Sequence, residues 1–221
     1  MRLTAEDTAV AAACSLLNEL SAEELREALV FFGAQAEEYR KGEFLLRAGD
    51  PVRRFGLLVS GAVQVCSDDI SGYRMIMASV TPGVLFGEAL CFLRVEQAPI
   101  YILATCPSRV IWMRTDPLLA PARDEAASRL QSKYIAMLSR KLLDMNDRIQ
   151  VLSRQLLRDK LTTYFSQCAL RARSRDFTIP FDRESLAAYL GVNRSALSRE
   201  LSRMQREGLI RYEKNRFTLL E

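Results

Sequence analysis

Apolar residues recur along this chain with three textures, and each predicts a different kind of element. Over residues 22–34, Leu25, Ala28, Leu29 and Phe32 share one face at helical spacing. From Tyr39 to Met113 the pattern changes to short apolar or alternating runs, at 44–46, 55–59, 62–66, 74–78 and 109–113. Turn residues punctuate them: Gly42, Gly49-Asp50-Pro51, Gly61, the Ser67-Asp-Asp-Ile-Ser-Gly72 stretch and Pro82-Gly83. Short strands at a spacing of roughly 8 to 12 residues predict an antiparallel barrel or jelly roll. Between 125 and 152 a third pattern begins. Ile135, Leu138, Leu142, Met145, Ile149, Leu152 and then Leu156 alternate at +3 and +4, a heptad seam that predicts a long helix in need of a partner helix. A second stripe, Leu130, Tyr134 and Met137, is expected to rest on the barrel of the same or of a neighbouring subunit. Residues 158–172 read as one more helix. The intervening joint, near 150–155, contains no Gly or Pro and is expected to stay helical.

The stretch 181–221 carries the strongest functional signal. Asp182 is a candidate N-cap for a short helix carrying Ser185, Leu186, Tyr189 and Leu190, and Gly191 stands where the chain must turn sharply. Asn193 can cap a second helix, 194–206. There Leu197, Leu201 and Met204 form an apolar stripe, and Arg194, Ser195, Ser198, Arg199, Ser202 and Arg203 take the opposite face. Guanidinium groups pair bidentately with guanine O6 and N7, and hydroxyls bond bases or phosphates. Two short strands around Glu213-Lys-Asn215 complete the outline of a winged helix-turn-helix. An isolated amphipathic helix with a solvated polar face is the plainer reading, and the succession helix, glycine turn, helix, hairpin weighs against it.

Charge sharpens the picture. The chain of 221 residues has a formal net charge of +4, which separates into −4 over residues 1–118, +2 over 119–152 and +6 over 153–221. A polyanion partner, double-stranded DNA, therefore belongs to the C-terminal third. The chain has no histidine, which removes His-based acid–base chemistry, catalytic triads, and zinc or haem held by histidine. An enzyme is not expected. The five cysteines (Cys14, Cys66, Cys91, Cys106 and Cys168) are scattered, which suits a reducing compartment. No apolar run approaches the roughly 18 to 20 residues that span a bilayer. Glu6 and Asp7 stand where a signal peptide would carry no acid, so a cytoplasmic protein without membrane attachment is expected.

Barrel, long helix and winged helix-turn-helix together resemble the Crp/Fnr superfamily of bacterial transcription regulators over 20–221. The resemblance rests on Lys41-Gly-Glu43, Gly49-Asp50, Leu57-Leu-Val-Ser-Gly61 and Pro82-Gly-Val-Leu-Phe-Gly-Glu88 in the barrel, and on Leu190-Gly-Val-Asn-Arg-Ser-Ala-Leu-Ser-Arg199 beyond it. It implies an α+β protein with a β-roll effector domain (1–118), a dimerisation helix (119–152) and a DNA-binding domain (153–221). It implies a homodimer on a palindromic site, allosterically controlled, with RNA polymerase as a further partner. Arg199 matches the family's guanine-reading arginine. Arg194, Ser195 and Ser198 match other base or phosphate contacts, Arg183 resembles a phosphate contact, and Asn193 and Arg203 complete the candidate DNA-binding set.

One departure bears on the signal. Relatives that bind cyclic nucleotides follow Phe-Gly-Glu with an Arg-Ser/Thr-Ala segment whose arginine neutralises the cyclic phosphate. Here Ala98 stands at the arginine position and Pro99 at the hydroxyl position. Losing the charged partner of a desolvated phosphate costs several kcal/mol, on the order of a thousandfold in affinity. Cyclic AMP is therefore not expected as effector. An iron–sulfur cluster needs about four convergent thiolates, and Cys14 stands alone near the N-terminus. No cofactor is predicted. The expectation is a small, largely apolar effector between barrel and long helix, lined by Leu85, Phe86, Gly87, Glu88, Leu90, Ala98, Ile100, Tyr101, Tyr134, Met137 and Leu138. Arg74, Arg94 or Lys133 would answer an acidic group. Two alternatives are an effector-independent regulator and a thiol switch between Cys91 and Cys106.

Overall fold

The computed structural model describes residues 3–68 and 74–220, with the side chain of Arg74 outside the description, as is most of the predicted turn 67–72. Two capped helices come first. In α1 (Ala5–Ala13) the Thr4 hydroxyl accepts from the Asp7 N–H at 3.2 Å while the Asp7 carboxylate accepts from the Thr4 N–H at 2.7 Å. In α2 (Ala22–Phe31) Ser21 and Glu24 make the same reciprocal pair. Each satisfies two N–H groups that a helix start leaves open.

The strands follow: β1 (Gln35–Tyr39), β2 (Phe44–Leu46), β3 (Phe55–Ser60), β4 (Val63–Asp68), β5 (Arg74–Val80) and β6 (Leu85–Phe86). A short helix, α3 (Glu88–Phe92), precedes β7 (Tyr101–Ala104), β8 (Ser108–Met113) and α4 (Asp116–Leu119). They form two antiparallel sheets, ordered β1-β8-β3-β6 and β2-β7-β4-β5. Crossed strand order closes the roll: sequence neighbours β1 and β2 lie in different sheets. Gly56 in β3 is needed at its position, because a Cβ there would meet the Phe86 ring at 2.2 Å. The Phe86 ring thus fills the space over Gly56 and meets Trp112 edge-on at 5.6 Å.

Pattern reading found β2 to β5 and β8 but not β1, β6 or β7. Strand β1 carries Glu37 and Glu38, which mask it in the sequence; in the fold Arg54 and Arg109 answer them at 2.5 and 2.9 Å. Arg109 does more. Its Nε and Nη2 each lie 2.7 Å from an oxygen of the fully buried Asp7, locking α1 onto β8 across 102 residues of sequence.

Helix α5 (Glu125–Leu152) has the predicted bounds, and α6 (Leu157–Ala172) follows. The joint between them is not helical, contrary to the expectation from its lack of Gly and Pro. Residues 153–156 leave the helix, with the Ser153 hydroxyl donating to the Gln150 carbonyl at 3.0 Å and Leu156 extended. A serine hydroxyl bonded to the local backbone competes with continuation of the helix. Then come β9 (Asp176–Thr178), α7 (Arg183–Leu190), α8 (Arg194–Arg206), β10 (Ile210–Glu213) and β11 (Arg216–Leu219), with the three strands ordered β10-β11-β9. Contacts divide the chain into units 1–138 and 139–221, a division that falls within α5.

Asp7→Ala is expected to cost about 3 kcal/mol, because it strands a mostly buried guanidinium. Arg109 holds the Asp7 carboxyl below its ordinary value of 3.8. The stabilisation is therefore fully present above that value and lost as pH falls through the lowered one. Urea unfolding should show a constant gap between wild type and variant from pH 7 to 5 that closes in more acid solution.

Candidate nucleic-acid interface

Caps define the reading unit. The Asp182 carboxylate accepts from the Ser185 N–H at 2.7 Å, a bond that holds its carboxyl below the usual range. Helix α7 ends at Gly191, with φ 66° and ψ 41°. The N–H groups of Gly191 and Val192 return to the carbonyls of Ala188 and Ala187, and Lys160 Nζ from α6 donates to the Leu190 carbonyl at 3.0 Å. Two residues later Asn193 starts α8, its Oδ1 accepting from the Ala196 N–H at 2.8 Å and from the Ser195 hydroxyl at 2.9 Å. Asn193 and the Ser195 proton are thus engaged in capping.

One face of α8 is sealed. Leu197, Leu201 and Met204 are buried in a cluster with Leu161, Phe165, Phe177, Leu186, Leu190 and Phe217. On the other face Arg194, Ser195, Ser198, Arg199, Ser202 and Arg203 are all exposed. Ser198, Arg199, Ser202, Arg203 and Arg206 line a groove of about 650 Å³. Arg199 has no ion pair or side-chain hydrogen bond among the described residues, so its donor fork is available.

Arg203 is committed differently. It lies 2.8 Å from Glu200 and 3.8 Å from Glu207, and the same two carboxylates hold Arg158 of α6 at 2.8 and 2.6 Å. The Glu207 bond raises the Arg158 pKa further, with Glu200 adding to it. Arg158 Nη2 is buried without a partner among the described residues. This quartet staples α8 to α6, and Arg203 belongs to the staple as well as to the exposed face.

Arg183 lies over the wing, its guanidinium carbon 4.6 Å from the Tyr212 ring centre and 5.3 Å from that of Phe217. Burial pushes its pKa below the ordinary value. With Ser185, Arg194, Lys214 and Asn215 it lines a second recess of about 750 Å³, between the start of α7 and the wing turn. Sequence reasoning did not single out Arg206 or Lys214 for this surface. Arg206 was within reach, since it extends the Ser198, Arg199, Ser202 face by one turn. Lys214 is displayed by a turn in which it takes φ 52°, a feature of backbone geometry. Arg216 points to a structural role, paired with Asp176 at 2.9 and 2.7 Å and fixing β11 to β9.

The residues expected to line an effector pocket are distributed rather than gathered. Tyr134 is 1% exposed, its hydroxyl donates to the Glu88 carbonyl at 2.9 Å, and its ring stacks on Phe92 at 5.5 Å. Leu85, Ala98 and Met137 are buried in that same cluster, with Leu90 and Leu138 packed against it. Phe86 and Ile100 lie in another cluster, which Leu90 also touches. The Tyr101 hydroxyl donates to Asp68 at 2.8 Å, and Glu88 is buried. Phe86 and Gly87 line a cavity of about 270 Å³. Of the cations considered, Arg94 pairs with Asp116 at 3.0 Å and Lys133 donates to the Asn18 carbonyl at 2.7 Å. In the segment that follows α3, Ala98 is 4% exposed and its N–H donates to the Asp50 carbonyl at 2.9 Å. Among the described residues no group of three or more Cys, Asp or Glu side chains is placed to hold a metal.

The seam positions of α5 are open in the single chain. Ile135, Leu142, Met145 and Ile149 are each more than 60% exposed, Leu152 is 38% exposed, and Leu138 is half-buried.

Comparison with known proteins places these units. The family model for the cyclic nucleotide-binding domain matches residues 36–120, and that for the Crp-like helix-turn-helix domain matches 138–221. The chain is 27% identical to the transcriptional activator protein anr of Pseudomonas aeruginosa over 190 residues, covering 82% of this chain and 75% of that protein. It is 25% identical to the cyclic AMP receptor protein of Thermus thermophilus over 196 residues, covering 89% and 88%. The crystal structure of DNR from Pseudomonas aeruginosa shares the fold at a TM-score of 0.52 and 20% identity, covering 100% of this chain and 96% of that one.

The glycine turn yields a direct test. A Cβ at Gly191 meets nothing within 4 Å, so its cost is conformational. Gly191→Ala should lower stability by about 1 kcal/mol, read as a shift of the urea midpoint at unchanged m-value.

Proposed function

The chain belongs to the Crp/Fnr superfamily of transcription regulators, and from that premise we propose that it is a cytoplasmic, homodimeric regulator reading a two-fold palindromic DNA site under control of a small molecule other than cyclic AMP. The observation that carries the reading is the division of α8 into a sealed face and an open one that displays Arg199. Arg199 reads a guanine edge. Arg194 and Ser198 support it on bases or phosphates, Arg183, Lys214 and Arg206 meet the backbone, and Asn193, Ser195 and Arg203 hold the helix in its working conformation. Arg203 keeps part of its fork for phosphate.

A second copy of the chain supplies what the seam lacks. Four large apolar side chains at more than 60% exposure along one helix are costly in water, and a facing α5 removes them from it. Two-fold pairing then presents two copies of α8 to half-sites about one turn, roughly 34 Å, apart. RNA polymerase is a further partner in this reading.

Thiol control is disfavoured by burial. Cys91 is buried with its sulfur 3.3 Å from the Thr115 hydroxyl, and burial pushes the Cys91, Cys14 and Cys168 thiols up, away from the reactive thiolate. The relatives are regulators rather than enzymes, which agrees with a chain that lacks histidine.

Arg199→Ala is expected to weaken binding by about 1–3 kcal/mol per half-site and to relax one base position. Competition against singly substituted sites would refute the assignment if every preference survived. Leu142→Asp with Ile149→Asp should give a monomer by sedimentation with unchanged circular dichroism, and at least tenfold weaker binding to the palindrome. A variant that stays dimeric would remove α5 as the interface.

A further inference from the structure

The β-roll contains a cavity that shares only Phe86 and Gly87 with the expected effector pocket. Its walls come from both sheets: Phe86 and Trp112 on one, Leu46 and Ile102 on the other, with Val52 and Arg54 from the loop at its mouth. At about 270 Å³ it lies near the lower end of the roughly 300–1,000 Å³ that ligand pockets occupy, enough for one ring and a short substituent. Neither Glu88 nor Ala98 lines it, and neither does any residue of α5.

The chemistry at the mouth is asymmetric. Trp112 spends its N–H on the Tyr39 hydroxyl at 2.9 Å, leaving an apolar ring in the wall. Arg54 lies over that ring at 5.0 Å and gives only its Nη1 edge to Glu37, at 2.5 Å. Its Nε–Nη2 edge, the fork that matches a carboxylate, has no partner among the described residues. Neighbouring Arg53 is different: both oxygens of Glu96 take its Nη2, and its Nη1 donates to the Arg94 carbonyl. Arg54 is 42% exposed, so an incoming anion reaches it without breaking the Glu37 pair.

We propose that this cavity binds a compact aromatic monocarboxylate, its ring between Phe86, Trp112 and Ile102 and its carboxylate on the free edge of Arg54. The site deepens the reading of the chain as a small-molecule-controlled regulator by naming the ligand class. It rests on that reading only for its biological use, since occupancy is measured without DNA.

Trp112 is the sole tryptophan of the chain, so its fluorescence reports the cavity directly. The full-length protein should show saturable quenching on titration with benzoate, phenylacetate or salicylate, and none with benzamide, which keeps the ring and removes the charge. Arg54→Met retains the stem over Trp112 and should weaken binding at least tenfold. Glu37→Gln leaves Arg54 less neutralised and should tighten it about threefold, a direction that a loss of folding does not produce. Isothermal calorimetry on the same variants checks that the signal is binding. A flat response to all three acids, equal binding of benzamide, or Arg54→Met binding as tightly as wild type would overturn the proposal. Failure of the regulator reading would appear separately, as a protein that binds the acids but no palindromic DNA.

Discussion

Everything that α8 offers to a duplex depends on three side chains beneath it. Leu197, Leu201 and Met204 enter a core in which Phe165 and Phe217 rings lie 4.6 Å apart, and each carries several kcal/mol of burial that no polar contact on the outer face could replace. Base readout requires donors held to a fraction of an ångström, so a helix that rocks reads nothing. The Asn193 cap fixes one end of α8, and the Arg158–Glu200–Glu207–Arg203 staple fixes it to α6 farther along. Rigidity of the buried side and availability of the exposed side are the same design seen from two directions.

The roll solves a different problem with similar means. Its two sheets interleave distant parts of the sequence, and the contacts that hold them are chosen for reach. Gly56 yields its side-chain space to Phe86, thirty residues on. Asp7 and Arg109 tie the first helix to the last strand of the roll through two parallel bonds.

Period and cap chemistry made much of this legible from the residues alone. The bounds of α5 and α8 follow from +3/+4 spacing and from Asn193, and β2 to β5 follow from alternation between glycine turns. What escaped did so for physical reasons. Strand β1 looks polar because its glutamates are paid for by arginines 17 and 71 residues away. The joint at 153–156 looks helical because nothing in its composition forbids a helix, and only the Ser153 bond to Gln150 shows why it stops. The proposed pocket was only partly legible: Phe86 and Gly87 were expected to line it, whereas the space left by packing lies against Trp112 rather than Glu88 and Ala98. Site residues on α8 were legible as a face, but the diversion of Arg203 into an ion pair and of Arg183, on α7, into ring contact depends on the placement of α6 and the wing.

That diversion has a thermodynamic consequence. Arg203 already carries carboxylates as counterions within its own helix, and Arg216 is likewise neutralised by Asp176. Fewer free cations approach the phosphates than the fourteen Lys and Arg side chains of the C-terminal third would supply unpaired. Fewer condensed ions are then released on association, so the affinity falls less steeply with added salt and random sequence holds the protein more weakly. A chain built this way leaves a larger share of its discrimination to the grooves than to the backbone.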